Sequence, residues 1–252
     1  MQVAIVTGGS SGIGQSAAIQ TARRGVGVIV TYSKHREGGE ETVRIIERHG
    51  GSAVALPLDV GRIETFAEFK GKVIETLLSK WNASSFHYLV NNAGIAQMSM
   101  FEDTTEELFD DLMRVLFKGP YFLTQALLPL MENGGAIVNT SSNAALESGL
   151  EPGYSAYASM KGAMIVLTRC MAKEFSGRGI RVNSVAPGPT RTRLGNDAFA
   201  NYPEVIPPLA AKTALGRVGE ADDIGKVIAF LLSDEAAWIT AQSIDVSGGF
   251  GL

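Results

Sequence analysis

The sequence predicts an α/β fold in which a doubly wound parallel sheet of about seven strands carries helices on both faces. Three observations predict it. Apolar runs of strand length alternate with runs of helix length along the 252 residues. The first strand-like run, Val3-Ala4-Ile5-Val6-Thr7, passes directly into a turn with three spaced glycines, Gly8, Gly12 and Gly14. No linker, repeat or low-complexity tract interrupts the pattern, so residues 1–252 are expected to form one domain. Alternation of this kind calls for parallel strands buried on both faces, and right-handed crossovers then wind helices onto both sides.

Taken in order, strands are expected at residues 3–7, 27–31, 52–56, 88–91, 136–140, 181–185 and 243–246. Helices are expected at 13–24, 39–49, 63–78, 106–130, 154–175 and 221–232. The ligand crevice of such a sheet lies beyond the carboxyl ends of its strands. One stretch, 195–214, is irregular and contains Pro203, Pro207 and Pro208. It follows the sixth strand, and residues 190–214 are therefore expected to form a substrate lid; a surface excursion without a role is the alternative.

Composition narrows the function classes. Apolar residues make up 45% of the chain, charged residues 19%, and the formal net charge is −4. No basic patch for nucleic acid is suggested. The single cysteine, Cys170, excludes an intrachain disulfide and fits a reducing cytoplasm. Its apolar surroundings predict a core-packing role. Met1 is followed almost at once by a core strand, so no signal peptide is expected, and no apolar run reaches the length of a membrane span. The three histidines, His35, His49 and His87, lack metal-ligand spacing, and His87 is read as structural.

The glycine turn is the first chemical signal. Glycine lets the backbone turn sharply and approach a pyrophosphate, and the helix that follows offers free N–H groups to phosphates. Gly8, Ser10, Ser11, Gly12, Ile13 and Gly14 are the candidate contacts. The spacing departs from G-x-G-x-x-G, so a turn without a ligand is the competing reading. A second signal is Tyr157-Ala158-Ser159-Met160-Lys161, which puts a phenol and an ammonium on one helix face. A nearby cation favours phenolate, so Lys161 is expected to lower the Tyr157 pKa and ready it for proton exchange with a carbonyl or alcohol oxygen. Tyr154 competes for the role but has Ala158, not lysine, four residues on. Further signals lie at strand ends: Ser141-Ser142, then Asn91-Asn92-Ala93-Gly94, then Pro187-Gly188 with Thr190 and Thr192.

These motifs together, and a tail with the glycine pair Gly248-Gly249, resemble the short-chain dehydrogenase/reductase family in its compact form of about 250 residues. The resemblance covers nearly the whole chain and is similar in style to 3-oxoacyl-carrier-protein reductases, glucose dehydrogenases and ketone reductases. It implies a Rossmann-type fold and hydride transfer between NADP(H) and a carbonyl or secondary alcohol, with ketone reduction as the expected direction. It implies that Tyr157 is the general acid or base, that Lys161 holds the nicotinamide ribose hydroxyls, and that Ser142, rather than Ser141, hydrogen-bonds the substrate oxygen. Asn92, Ala93 and Gly94 would line the cofactor, Asp59 and Val60 the adenine, and Pro187, Gly188, Thr190 and Thr192 the carboxamide side. A homotetramer built on helices 106–130 and 154–175 is implied as well.

The cofactor choice is read at the end of the second strand. Tyr32, Ser33, Lys34, His35 and Arg36 contain no acid, and hydroxyl and basic groups suit a 2′-phosphate. NADP is expected over NAD, although Ser11 stands where NADP-preferring relatives often have arginine. A second departure is Val115-Leu116-Phe117-Lys118-Gly119, where the family often carries asparagine at the Leu116 position to hold a water of the proton relay. An altered relay is expected. A catalytically weakened nucleotide sensor or scaffold is the alternative function, and a sugar-nucleotide epimerase or dehydratase a third. The pocket is expected from residues 143–147, Tyr154, residues 188–194 and the lid, with Ala144, Ala145, Leu146 and Leu194 suiting a partly apolar ketone or alcohol.

Overall fold

In a computed structural model, which describes all 252 residues except for the side chain of Asn196, the sheet follows the sequence alternation. Its strands are β1 (Val3–Val6), β2 (Gly27–Tyr32), β3 (Ala53–Pro57), β4 (Phe86–Asn91), β5 (Met131–Thr140), β6 (Arg181–Pro187) and, near the end of the chain, Ser243–Val246. The helices are α1 (Gly12–Ala22), α2 (Arg36–Arg48), α3 (Phe66–Trp81), α4 (Glu106–Met113), α5 (Gly119–Leu127), α6 (Ser155–Glu174), α7 (Leu194–Asn201), α8 (Ile206–Ala211) and α9 (Ala221–Leu232). A two-residue pair, β7 (Thr190–Arg191) with β8 (Gly219–Glu220), lies outside the main sheet, which makes Ser243–Val246 strand β9.

The seven-stranded sheet runs β3-β2-β1-β4-β5-β6-β9, every pair parallel. The order reverses between β1 and β4, so a crevice opens there at the carboxyl ends of the strands. Successive residues feed opposite faces. Val3, Ile5, Ile29, Leu89 and Ile137 pack with α3, α5 and α6, while Ala4, Val6, Val28, Val30, Val90 and Val138 pack with α1, α2 and α9. Period-two alternation of apolar side chains on both faces is what a fully covered parallel sheet needs.

The structure corrects two expectations. The single helix expected at 106–130 is broken into α4, a π-helical segment Arg114–Lys118, α5, and a 3₁₀ turn Leu128–Leu130. Two features mark the break: Pro120 has no N–H for a continuing helical bond, and a Cβ on Gly119 would lie 2.2 Å from the Val60 carbonyl oxygen, so the chain is pressed there onto the loop after β3. Cys170 is exposed, not buried. Met164, Leu167, Thr168 and Met171 occupy the core side of α6, and Cys170 shares the outward stripe with Val166 four residues earlier. His87 is structural: its Nδ1 accepts from the Val3 amide at 3.4 Å, and burial lowers its pKa.

Candidate active site

The glycine turn is held open by its neighbours. Thr7 follows β1 and buries its hydroxyl, which donates to Val90 O (3.1 Å) and accepts from the amides of Asn92 (2.9 Å) and Ala93 (3.0 Å). The Asn92 side chain returns a bond to Thr7 O at 3.0 Å. The turn after β1 and the 91–94 segment after β4 are thus fixed as one rim of the crevice. Thr31 secures the other side, accepting from the amides of Gly8 and Gly9.

This rim fits a dinucleotide. Gly8 and Gly12 have φ of +64° and +55°, a region that glycine enters without strain. A Cβ on Gly14 would lie 2.3 Å from Gly8 O and 2.4 Å from Asn92 Nδ2, so the start of α1 sits directly on the turn. Ser11, the residue before α1, makes no side-chain cap, which leaves the first amides of the helix without a side-chain partner. Such amides, at the positive end of the helix dipole, suit a pyrophosphate. Ser10, Ser11 and Ile13 line the same turn, half-buried.

At the carboxyl end of β5 the chain delivers Ser141 and Ser142 to the crevice, and α6 delivers Tyr157 and Lys161 opposite them. All four are buried. The serines divide their tasks: Ser141 Oγ donates to Lys161 O at 2.8 Å and pins α6 to β5, while Ser142 Oγ accepts from the Ala144 amide at 3.2 Å and stands close enough to the Tyr157 hydroxyl to lower its pKa. Lys161 Nζ lies 5.8 Å from the Tyr157 ring centroid and donates to Thr140 O at 2.8 Å. That is its one hydrogen bond among the described residues, which leaves two ammonium hydrogens directed into a buried site.

Burial, not the Lys161 charge, sets the direction of the Tyr157 pKa, contrary to expectation. Burial pushes the phenol up to about 12, against the opposing pull of the Ser142 hydrogen bond. Burial also brings Lys161 down to about 8. The ammonium sits over the ring face and is spent on Thr140 O, so desolvation outweighs its field at the hydroxyl.

Comparison with known proteins places this arrangement. A family model described as Enoyl-(Acyl carrier protein) reductase matches residues 8–251. Versicolorin reductase 1 of Aspergillus parasiticus is 35% identical over 260 residues, covering 98% of this chain and 95% of its own. The chain belongs to the short-chain dehydrogenase/reductase family. It is an NAD(P)-dependent oxidoreductase acting on CH–OH/C=O groups. Among solved structures, the promiscuous reductase LugOII, which catalyses keto-reduction at C1 during lugdunomycin biosynthesis, matches with a TM-score of 0.93 at 38% identity and covers 100% of this chain and 98% of its own. The angucycline C-6 ketoreductase LanV with bound NADP matches with a TM-score of 0.93 at 35% identity, covering 99% and 95%.

The remaining candidate residues of the dehydrogenase/reductase occupy the same edge of the sheet. Pro187 ends β6, and a Cβ on Gly188 would lie 2.7 Å from Ser247 Cα. Thr190 Oγ1 donates to Gly188 O at 2.8 Å, and Thr192 Oγ1 accepts from the Leu194 amide at 3.3 Å. Asp59 accepts from the Gly61 amide at 2.9 Å, shaping the loop after β3, and Val60 is buried beneath it. Gly94 faces Leu116: a Cβ there would lie 3.2 Å from Leu116 Cδ2 and 3.9 Å from Lys161 Nζ. Tyr32 ends β2, and Ser33 and Lys34 follow it, both exposed.

Beside Tyr157 lies a cavity of about 280 Å³ lined by Met100, Phe101, Ala144, Leu150, Glu151 and Tyr154, among others. Tyr154 stands between the cavity and Tyr157, the rings meeting edge to face at 6.0 Å. Ala144 and Tyr154 were legible as pocket residues; Ala145, Leu146, Glu147 and Leu194 are not in this lining. Met100 and Phe101 were missed, although an apolar run without helical or strand period directly after a strand's carboxyl end was a usable signal. Among the described residues no cluster of His, Cys, Asp or Glu could hold a metal ion.

Proposed function

We propose that the enzyme reduces a partly apolar ketone with NADPH. The carrying observation is the convergence of Ser142, Tyr157 and Lys161, all buried, beside the cavity of about 280 Å³ with its Met, Phe and Leu lining. Its keto-reducing neighbours support the direction of reaction. For the cofactor, support comes from the absence of an acid between Thr31 and Arg36 and from the NADP held by LanV.

The residues would act as follows. The amides of Gly12–Gly14 and the rim of Gly8, Ser10 and Ser11 hold the pyrophosphate, while Asp59, Val60, Asn92, Ala93 and Gly94 flank the adenosine and ribose. The two spare hydrogens of Lys161 meet ribose hydroxyls. Pro187, Gly188, Thr190 and Thr192 hold the nicotinamide side. Bound NADPH supplies the hydride. Ser142 hydrogen-bonds the ketone oxygen, and Tyr157 gives that oxygen its proton. Burial keeps this phenol protonated at neutral pH, so Tyr157 has a proton to give. Leu116 offers no hydrogen bond to a relay water, so Tyr157 regains its proton from solvent through Lys161 and water, with carbonyls such as Thr140 O only accepting hydrogen bonds along the way.

Residues 190–214 are read as the lid. Its far end is fastened by Lys212 to Glu151 at the cavity rim and by the bridge between Thr213 and Phe250. The same reading gives a homotetramer in the cytoplasm, with the outward stripe of α6 in an interface.

The test is Tyr157→Phe assayed with a panel of ketones and NADPH. Turnover should fall by about 10²–10⁴-fold with NADPH affinity retained. Unimpaired turnover would remove Tyr157 from the proton step.

A further inference from the structure

The lid begins on the glycine turn. A Cβ on Gly12 would lie 3.1 Å from Thr192 Cβ, so Thr192 rests against the turn. The next residue, Arg193, reaches across to the loop after β2, where its Nη1 lies 3.1 Å from His35 Nε2. His35 itself is folded against the turn: a Cβ on Gly38 would lie 2.3 Å from both His35 Cδ2 and Ser10 O. The guanidinium of Arg193 is therefore set beside His35, in the loop that follows Ser33 and Lys34, where the adenosine ribose of the cofactor is expected.

The charges around it single it out. Ser11 brings no cation from the turn. Arg36 is already paired with Glu40, Nε to Oε1 at 2.7 Å. Arg193 Nε pairs with Asp197, 3.3 Å from Oδ1 and 3.4 Å from Oδ2, longer than the Arg36–Glu40 contact, while its Nη1 faces an imidazole nitrogen that can accept only when neutral. A guanidinium is always charged and offers a fork that matches phosphate. Lys34 is exposed and forms no ion pair among the described residues.

We propose that Arg193 is a cofactor-selecting residue of the lid, joining Lys34 on the 2′-phosphate of NADP and supplying the cation that Ser11 does not. The inference rests on the NADP reading above. It ties cofactor choice to lid position, because the residue that reads the phosphate also leads into α7.

NADPH and NADH differ only in that phosphate, so direct fluorescence titration of both discriminates. The wild-type protein should bind NADPH more tightly than NADH. Arg193→Ala should raise the NADPH Kd by about tenfold and change the NADH Kd less than twofold. Arg193→Lys should recover part of the loss, and Lys34→Ala should act in the same direction. The Arg193 side chain is 56% exposed, so these variants are expected to fold, and an unchanged melting temperature would establish it. Equal weakening of both nucleotides, or of neither, would overturn the role of Arg193 while leaving NADP preference intact. Tighter wild-type binding of NADH would overturn the cofactor reading and this proposal with it.

Discussion

Lys161 is where burial and function conflict most directly. Its ammonium is buried with a single carbonyl for a partner, and its pKa falls from 10.5 to about 8. The unfolded chain keeps this proton up to about pH 10.5, whereas the folded chain releases it near 8. Between those values the unfolded state binds more protons, so this group makes stability rise with pH through that window; below 8 its penalty is fully present. In urea unfolding, wild type should gain about 2–3 kcal/mol relative to Lys161→Met between pH 7 and pH 10. A gap independent of pH would mean that the amine is not desolvated as the geometry requires. The same burial that destabilises the fold leaves two ammonium hydrogens without protein acceptors, directed where a ribose is expected. Beside it, Tyr157 shows the converse shift, and its hydroxyl keeps its proton for the ketone.

Among the elements, the broken helix at 106–130 matters most for the site. Its π-helical segment turns Leu116 inward, to pack with Leu112, Ala144, Tyr157 and Met160. An inserted residue of this kind in a helix often marks a functional site. Here it presents an apolar wall to Tyr157. Leu116→Asn should cost about 2–4 kcal/mol, from lost packing and a buried amide. If the leucine alters the proton relay, the variant's pH profile for ketone reduction should also shift. A profile identical to wild type would assign Leu116 to packing alone. Under the same site, β4 and β5 are joined by Asn91 Nδ2 to Asn139 Oδ1 at 2.9 Å, and Asn139 continues to Thr168 of α6 at 2.9 Å. These buried bonds hold the strand that carries Ser142 in register with the helix that carries Tyr157.

At the scale of the whole molecule, α6 has two contrasting faces. Tyr157 and Lys161 point into the crevice, while Val166, 58% exposed, and Cys170 form an apolar stripe on the outside, with Tyr121 of α5 also exposed. The proposed tetramer would cover that stripe. Val166→Arg should convert the sedimentation profile from a tetramer to smaller species, since an unpaired charge in a buried contact is costly. An unchanged profile would place the interface elsewhere. The lid belongs to this scale too. In the proposed lid, Arg193 reaches His35 beside the glycine turn and Lys212 pairs with Glu151 at the cavity rim, so both ends of one segment meet the crevice.

The alternation of apolar runs, the glycine spacing and the Tyr-x-x-x-Lys step were enough to determine the parallel sheet, its crevice and the residues gathered there. Each of these depends on local periodicity or on a backbone requirement that only certain residues meet, and such constraints are written in the order of residues. The close packing of Gly119 depends on the Val60 carbonyl, 59 positions earlier in the chain. The outward turn of Cys170 depends on which side of α6 meets the sheet. The pKa of Tyr157 depends on how deeply neighbours bury it, and the reach of Arg193 to His35 spans 158 positions. Only the tertiary structure decided these, because contact and desolvation are set by segments distant in sequence, and no local pattern encodes which of them will meet.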